Sequence, residues 1–138
     1  MRKLYIGIIC LLTIVSFSGC GSKGGSSPQP TPEANIAFTT SPVANSNLAP
    51  QPIANGLPLT VTITSTMPSA GVRIDVSSVS ATSTTPFFTK TVNSTTTANS
   101  FLVTGTPSGG ISCTCTVTVT SLSTATNTSS SSFTYGAK

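Results

Sequence analysis

The chain has 138 residues, of which 37% are hydrophobic and only 6% are charged, and it contains no histidine. Its formal net charge of +4 overstates the charge of the folded part, because Arg2 and Lys3 belong to an N-terminal leader. Four basic residues then remain against two acidic ones, and they are widely spaced. Nucleic-acid binding depends on several clustered phosphate contacts, so we expect no nucleic-acid partner.

The N-terminus has the pattern of a secretory signal. Arg2 and Lys3 are followed by an uncharged apolar stretch from Leu4 to Phe17. At about 14 residues this stretch is shorter than the roughly 20 that a membrane-spanning helix needs. A positive start, a short apolar segment and small residues before a cleavage point are typical of a signal peptide, which we place at residues 1–19.

The run Phe17-Ser18-Gly19-Cys20 closes that leader and resembles the lipobox of bacterial lipoproteins. The resemblance implies that Cys20 becomes the first residue of the mature chain and carries a diacylglycerol and an N-acyl chain. Two or more acyl chains hold a protein stably on a membrane, whereas one does not. Gly21 stands where the usual inner-membrane retention signal has Asp, which implies an outer-membrane rather than an inner-membrane location in the cell envelope.

Residues 20–34 have the composition of a linker. Gly and Ser dominate the first half, and Pro is spaced through the second half, so the segment is flexible and then stiffer. As a coil it spans about 20 Å. The sequence therefore predicts a folded domain at 35–138, held near a membrane by a short tether.

Alternating apolar and polar residues predict strands along the domain. The first contains Ile36 and Phe38 and ends at Pro42; residues 42–58, rich in Pro, form a long loop or a broken edge strand. Further strands are predicted at 59–64, 72–76, 86–92, 100–104 and 111–120 and around Phe133 and Tyr135. After the leader there is no helical periodicity.

Seven short strands with turn residues between them predict a single all-β domain, a seven-stranded antiparallel sandwich. The pattern resembles immunoglobulin-like and fibronectin type III modules over residues 35–138. The core Trp and the tyrosine corner of antibody domains are missing, so antibody-like topology is not expected. This resemblance implies a fold and no particular activity.

The sequence offers little for catalysis. Glu33 falls in the predicted linker, and Asp75 lies two residues from Arg73 on a strand, where the two side chains share a face and form a solvated ion pair. General acid–base catalysis requires a titratable group near its substrate. We therefore expect a protein that is not an enzyme, has no catalytic residue and uses no cofactor or metal.

Cys113 and Cys115 are the two cysteines of the predicted domain. On a strand they point the same way, which strains a direct disulfide. Three alternatives stay open: two buried core thiols, a local disulfide, or a thiol pair that binds a soft metal such as copper. Structural zinc is excluded because it needs four ligands.

Phe87 and Phe88 are adjacent, so alternation predicts that one ring is exposed as a binding contact. From these features we expect a lipid-anchored, non-catalytic binding or structural module with an envelope protein as partner. A glycan-binding lipoprotein is the first alternative and requires an exposed aromatic. A thiol redox or copper-handling module is the second and requires accessible thiols.

Overall fold

The computed structural model describes residues 31–138, and Pro32–Lys138 form one compact unit. The predicted signal peptide, Cys20 and the linker up to residue 30 lie outside the described residues. The described part is all-β, and seven strands follow one another: β1 Phe38–Ser41, β2 Leu57–Ile63, β3 Val72–Ser80, β4 Phe88–Ser94, β5 Ala98–Val103, β6 Cys113–Ser121 and β7 Thr128–Tyr135.

The strands form two sheets, one of three strands in the order β1-β2-β5 and one of four in the order β4-β3-β6-β7. All of these pairings are antiparallel. The predicted all-β sandwich of seven antiparallel strands is confirmed. In the constant-type antibody domain the fourth strand pairs with the fifth, whereas here β4 pairs with β3 and so belongs to the other sheet.

The core lies between the sheets and follows the alternation in the sequence. Inward residues alternate with threonine and serine on the central strands, and burying each larger apolar side chain contributes about 1.5–3 kcal/mol. β-branched valine and threonine suit this half-buried pleated surface. The buried core residues on β2, β3 and β6 are Leu57, Leu59, Val61, Ile63, Val72, Ile74, Val76, Cys113, Cys115, Val117 and Val119.

The proline-rich segment after β1 is a broken edge strand, the second of the two predicted alternatives. It runs parallel to β7, with bridges from Asn47 to Thr134 and from Gln51 to Ala137. Five backbone hydrogen bonds of 2.7–3.1 Å join residues 45–51 to residues 132–138. The outer edge of β7 is therefore covered from Ser132 onward.

Most strand boundaries shift by a few residues from the prediction, and two of the differences have a clear physical reason. Pro58, expected in the loop, lies inside β2 opposite Leu102. It is tolerated because β1 pairs only with residues 60–63, so Pro58 lies where β2 is paired on one side. β7 begins at Thr128, earlier than predicted. Its serine-rich first half was not predicted because it lacks the apolar alternation that marks a strand in sequence.

The sandwich has two distinct ends. At one end lie the β2–β3 turn, the β4–β5 turn and the β6–β7 loop, together with the first residues of the domain; we call this the entry end. Gly71 closes the β2–β3 turn with a φ of 84°, and an added Cβ there would lie 2.5 Å from the Ser94 carbonyl oxygen. The opposite end carries residues 53–56, 81–87 and 104–112, and we call it the loop end.

Candidate functional site

The two cysteines of the domain lie in the core of the sandwich. Cys113 and Cys115 are both fully buried and carry free thiols. The strand register sets Cys115 opposite Ser78 on β3, and Cys113 opposite Tyr135 on β7. The thiols therefore form part of a buried polar cluster that crosses three neighbouring strands.

Hydroxyl groups complete this cluster. The Tyr135 hydroxyl lies 3.3 Å from the Ser78 Oγ and 3.4 Å from the Thr106 Oγ1, and the Cys113 thiol donates to the Ile111 carbonyl oxygen at 3.5 Å. Sequence reasoning missed Ser78 and Thr106. The signal for Ser78 was present, because the inward positions of β3 continue with the same period of two beyond Val76.

Burial controls the protonation of the cluster. Desolvation raises the pKa of the Cys113 thiol. It also raises the pKa of Cys115, against a smaller lowering by the hydrogen bond to Ser78. Because the thiolate is the nucleophile and the metal ligand, buried neutral thiols are poorly suited to redox exchange or copper transfer. The accessibility that the thiol-redox alternative requires is absent from the described fold.

The aromatic pair differs from the prediction. Phe87 and Phe88 are both half-buried and pack against the core, so neither ring is the exposed contact that alternation predicted. The reason is that Phe87 precedes β4 and is not part of the strand. Its amide donates to the Ser78 carbonyl oxygen at 3.0 Å, and so both rings can turn toward the core.

The predicted surface ion pair is confirmed. Arg73 Nε lies 2.9 Å from Asp75 Oδ2, and the Thr91 hydroxyl donates to Asp75 Oδ1 at 2.7 Å. Both charged side chains are partly exposed, with 49% and 36% of their surface accessible. Water screens such a pair strongly, so the pair contributes little to stability.

The entry end contains a contact network that the sequence did not reveal. The Asn127 side chain accepts a hydrogen bond from the Ile36 amide at 2.9 Å and donates to the Ala34 carbonyl oxygen at 2.8 Å. It also donates to Glu33, whose carboxylate accepts a further bond from Thr124 at 3.4 Å. Glu33 and Ala34, placed above in the linker, are thus fixed to the β6–β7 loop.

Two surface pockets open at the loop end. The first, about 210 Å³ in volume, lies beside Tyr135 and is lined by Asn47, Leu48, Pro50, Gly110, Ser112, Tyr135 and Gly136. The second, about 350 Å³, is lined by Ile53, Ala54, Asn55, Gly56, Thr104, Gly105 and Thr106. Every lining residue is uncharged. The Tyr135–Thr106 contact joins the walls of the two pockets, so the buried cluster supports both.

Compared with known proteins, the chain matches no family model, no curated protein and no solved structure. Within residues 31–138, no three His, Cys, Asp or Glu side chains are grouped so that they could hold a metal ion. No helix in that same range is both long and apolar enough to cross a bilayer. The functional interpretation therefore depends on the geometry of the sandwich itself and on the N-terminal sequence.

Proposed function

We propose that this chain is a lipid-anchored protein of the bacterial cell envelope. It is held through Cys20 in the outer membrane rather than the inner membrane. Its sandwich acts as a non-catalytic binding or structural module, accessory to a larger envelope assembly. The anchor follows from the Phe17-Ser18-Gly19-Cys20 sequence. The binding role is supported by the arrangement of the domain described above.

One observation carries the binding role: the chain enters the sandwich at one end, and two pockets with wholly uncharged linings lie at the other. A third pocket lies toward the entry end and differs from these two because the charged Arg73 lines it. Asn127 fixes residues 34–36 at the entry end, whereas the two uncharged pockets are formed by the loops before β2 and β6 and after β5 and β7. Loops at the end of a rigid sandwich are the usual binding surface of such domains. A tethered module with this arrangement can present its pockets to a partner.

Glycan binding is the second candidate, and the polar, uncharged linings of the pockets favour it. Their linings combine uncharged amide and hydroxyl side chains with backbone groups, which suit a neutral polyhydroxyl ligand. The half-buried Phe87 and Phe88 do not supply the open aromatic platform that this candidate requires. A protein partner is therefore the stronger proposal.

Cross-linking in intact cells tests the proposal. We expect one reproducible protein neighbour, recovered after detergent extraction and identified by mass spectrometry, and its yield should fall when Cys20→Ala removes the anchor. A second variant, Asn55→Arg, places a bulky charge in the larger pocket. It should reduce the same cross-link while the protein stays in the membrane fraction.

A matched control for the pocket variant is Thr126→Arg, which adds the same charge at an exposed position of the entry end. This variant should keep the cross-link. Recovery of polysaccharide without any protein neighbour would instead favour the glycan candidate. Equal loss of the cross-link in both arginine variants would contradict the assignment of the loop end as the binding surface.

A further inference from the structure

The four outer edges of the two sheets are not equivalent. An unpaired edge strand exposes backbone N–H and C=O groups that can pair with another strand, and proteins protect such edges with covering segments, short strands, charges or proline. Residues 45–51 cover the second half of the β7 edge, and the uncovered first half is only four residues long. β1 is only four residues long and is followed by Pro42. β4 carries the exposed Lys90 at its centre.

β5 has none of these protections. Within the described chain it pairs with β2 alone, and its six residues, Ala-Asn-Ser-Phe-Leu-Val, include neither a charge nor a proline. Leu102 on its outer face is 50% exposed, one of three large hydrophobic side chains left open on the described surface. β5 is thus the least protected edge and the one most open to pairing with a further strand.

We propose that β5 pairs with β5 of a second copy of this chain and joins two three-stranded sheets into one of six strands. The argument for a second copy is electrostatic. A two-fold contact sets the same strand against itself, so a charged edge meets its own charge. β4 would bring two copies of Lys90 together, whereas uncharged β5 brings none.

The register of the strand supports this pairing. Ala98, Ser100 and Leu102 share the outer face, because side chains on a strand alternate with a period of two. In an antiparallel pair centred on Ser100, Leu102 of one copy lies opposite Ala98 of the other. The exposed leucine is then partly covered by an apolar neighbour, and no polar side chain is buried.

A contact between single strands is smaller than a standard stable interface, so we expect weak pairing in dilute solution. The pairing depends on the proposed anchor only for local concentration, because two copies held on one surface meet at a high effective concentration. The two proposals can therefore fail separately.

Cysteine cross-linking of the full chain in cell membranes tests the pairing. Single variants Ala98→Cys, Ser100→Cys and Leu102→Cys are treated with a short bis-maleimide and compared with Thr89→Cys on β4 and with the unsubstituted chain. We expect a dimer from the β5 variants, and no increase over the unsubstituted chain from the β4 variant. Cys113 and Cys115 are buried and should contribute little.

A second substitution separates pairing from chance collision. Adding Leu102→Lys to the Ser100→Cys chain should lower the dimer yield about ten-fold, because the apolar contact with Ala98 is lost at both ends of the pair and a charge is placed on the edge instead. Thr89→Lys, which adds the same charge on β4, should leave the yield unchanged. Membrane fractionation of the same samples reports on the anchor, and the dimer yield is read in whichever fraction holds the protein. Absence of a dimer from all three β5 variants, or equal yields from β4 and β5, would overturn the pairing.

Discussion

The Tyr135 hydroxyl is the centre of the polar contacts inside the sandwich. It reaches Ser78 on β3 and Thr106 in the β5–β6 loop, while its ring packs near Phe133 at a centroid distance of 6.0 Å. A buried polar group without a partner is costly, so each of the three hydroxyls depends on the others. Through this contact the core holds the loop end in place.

Tyr135→Phe should therefore lower the free energy of unfolding by about 1–2 kcal/mol, because the Ser78 hydroxyl stays buried and loses a partner. Urea denaturation followed by circular dichroism measures the change. Ser108→Ala, at an exposed position of the β5–β6 loop, is the control and should change the value by less than about 0.5 kcal/mol. An unchanged midpoint for Tyr135→Phe would show that the hydroxyl contacts contribute nothing.

The buried thiols predict how stability depends on pH. The unfolded chain loses thiol protons near the ordinary pKa of 9.0, whereas burial raises the pKa of Cys113 and Cys115 in the fold. Above that pH the folded state binds more protons than the unfolded state, so the free energy of unfolding falls as pH rises. Below it, the thiols contribute no pH dependence.

Denaturation curves from about pH 8 to pH 10 measure this slope. The double variant Cys113→Ala/Cys115→Ala should start from a lower stability, because two small cavities form, but its decline with pH should be shallower. Tyr135 keeps a residual slope in the variant, since burial also raises its pKa. Parallel slopes for the two proteins would contradict the assignment of the thiols as buried and protonated.

At the scale of elements, the Asn127 side chain makes three of the hydrogen bonds that hold the start of the domain at the entry end. Asn127 bonds Ile36 and Ala34 at 2.9 and 2.8 Å and so joins the first residues of the domain to the β6–β7 loop. Asn127→Ala should lower the free energy of unfolding by about 1–3 kcal/mol, because the buried Ile36 amide loses its acceptor.

Hydrogen exchange locates that effect. The Ile36 amide should exchange faster in Asn127→Ala. Amides in the centre of β6 should lose no more protection than the change in global stability explains. Thr126→Ala, an exposed neighbour in the same loop, is the matched control. Unchanged protection at Ile36 would mean that the contact does not fasten the start of the domain.

The sequence predicted the elements whose pattern is local. β2 and β6 alternate apolar residues with threonine, and β3 alternates valine or isoleucine with polar and charged residues. A period of two is sufficient to identify such half-buried strands. The first half of β7 was missed because serine alternating with serine carries no such signal. The pairing of residues 45–51 with β7 and the contact of Glu33 with Asn127 join residues far apart in sequence, which composition and spacing do not encode.

The site residues divide in the same way, into those indicated by a local sequence pattern and those brought together from distant parts of the chain. Burial of Cys113 and Cys115 agrees with their place in the alternation of β6. The exposure expected for Phe87 or Phe88 was wrong because the strand begins at Phe88, two residues after its predicted start. The pockets of the loop end are formed by three separate segments, at 47–56, 104–112 and 135–136. No single stretch of sequence could have indicated them.

The described molecule is a sandwich with a polar surface and a fixed entry end. Its loop end has two uncharged pockets, and its β5 edge is unprotected. Attachment to a membrane would direct the loop end toward a partner and raise the local concentration of the β5 edge. The attachment in turn depends on Cys20, through a resemblance that four residues carry. The anchor is therefore the claim on which the others converge.

The most direct test is mass spectrometry of the N-terminal peptide of the protein recovered from bacterial membranes. The account predicts a peptide that begins at Cys20 and carries the mass of a diacylglycerol group and an amide-linked acyl chain. Cys20→Ala should abolish both the processing and the added mass. A mature N-terminus at another residue, or an unmodified Cys20, would contradict the proposed anchor.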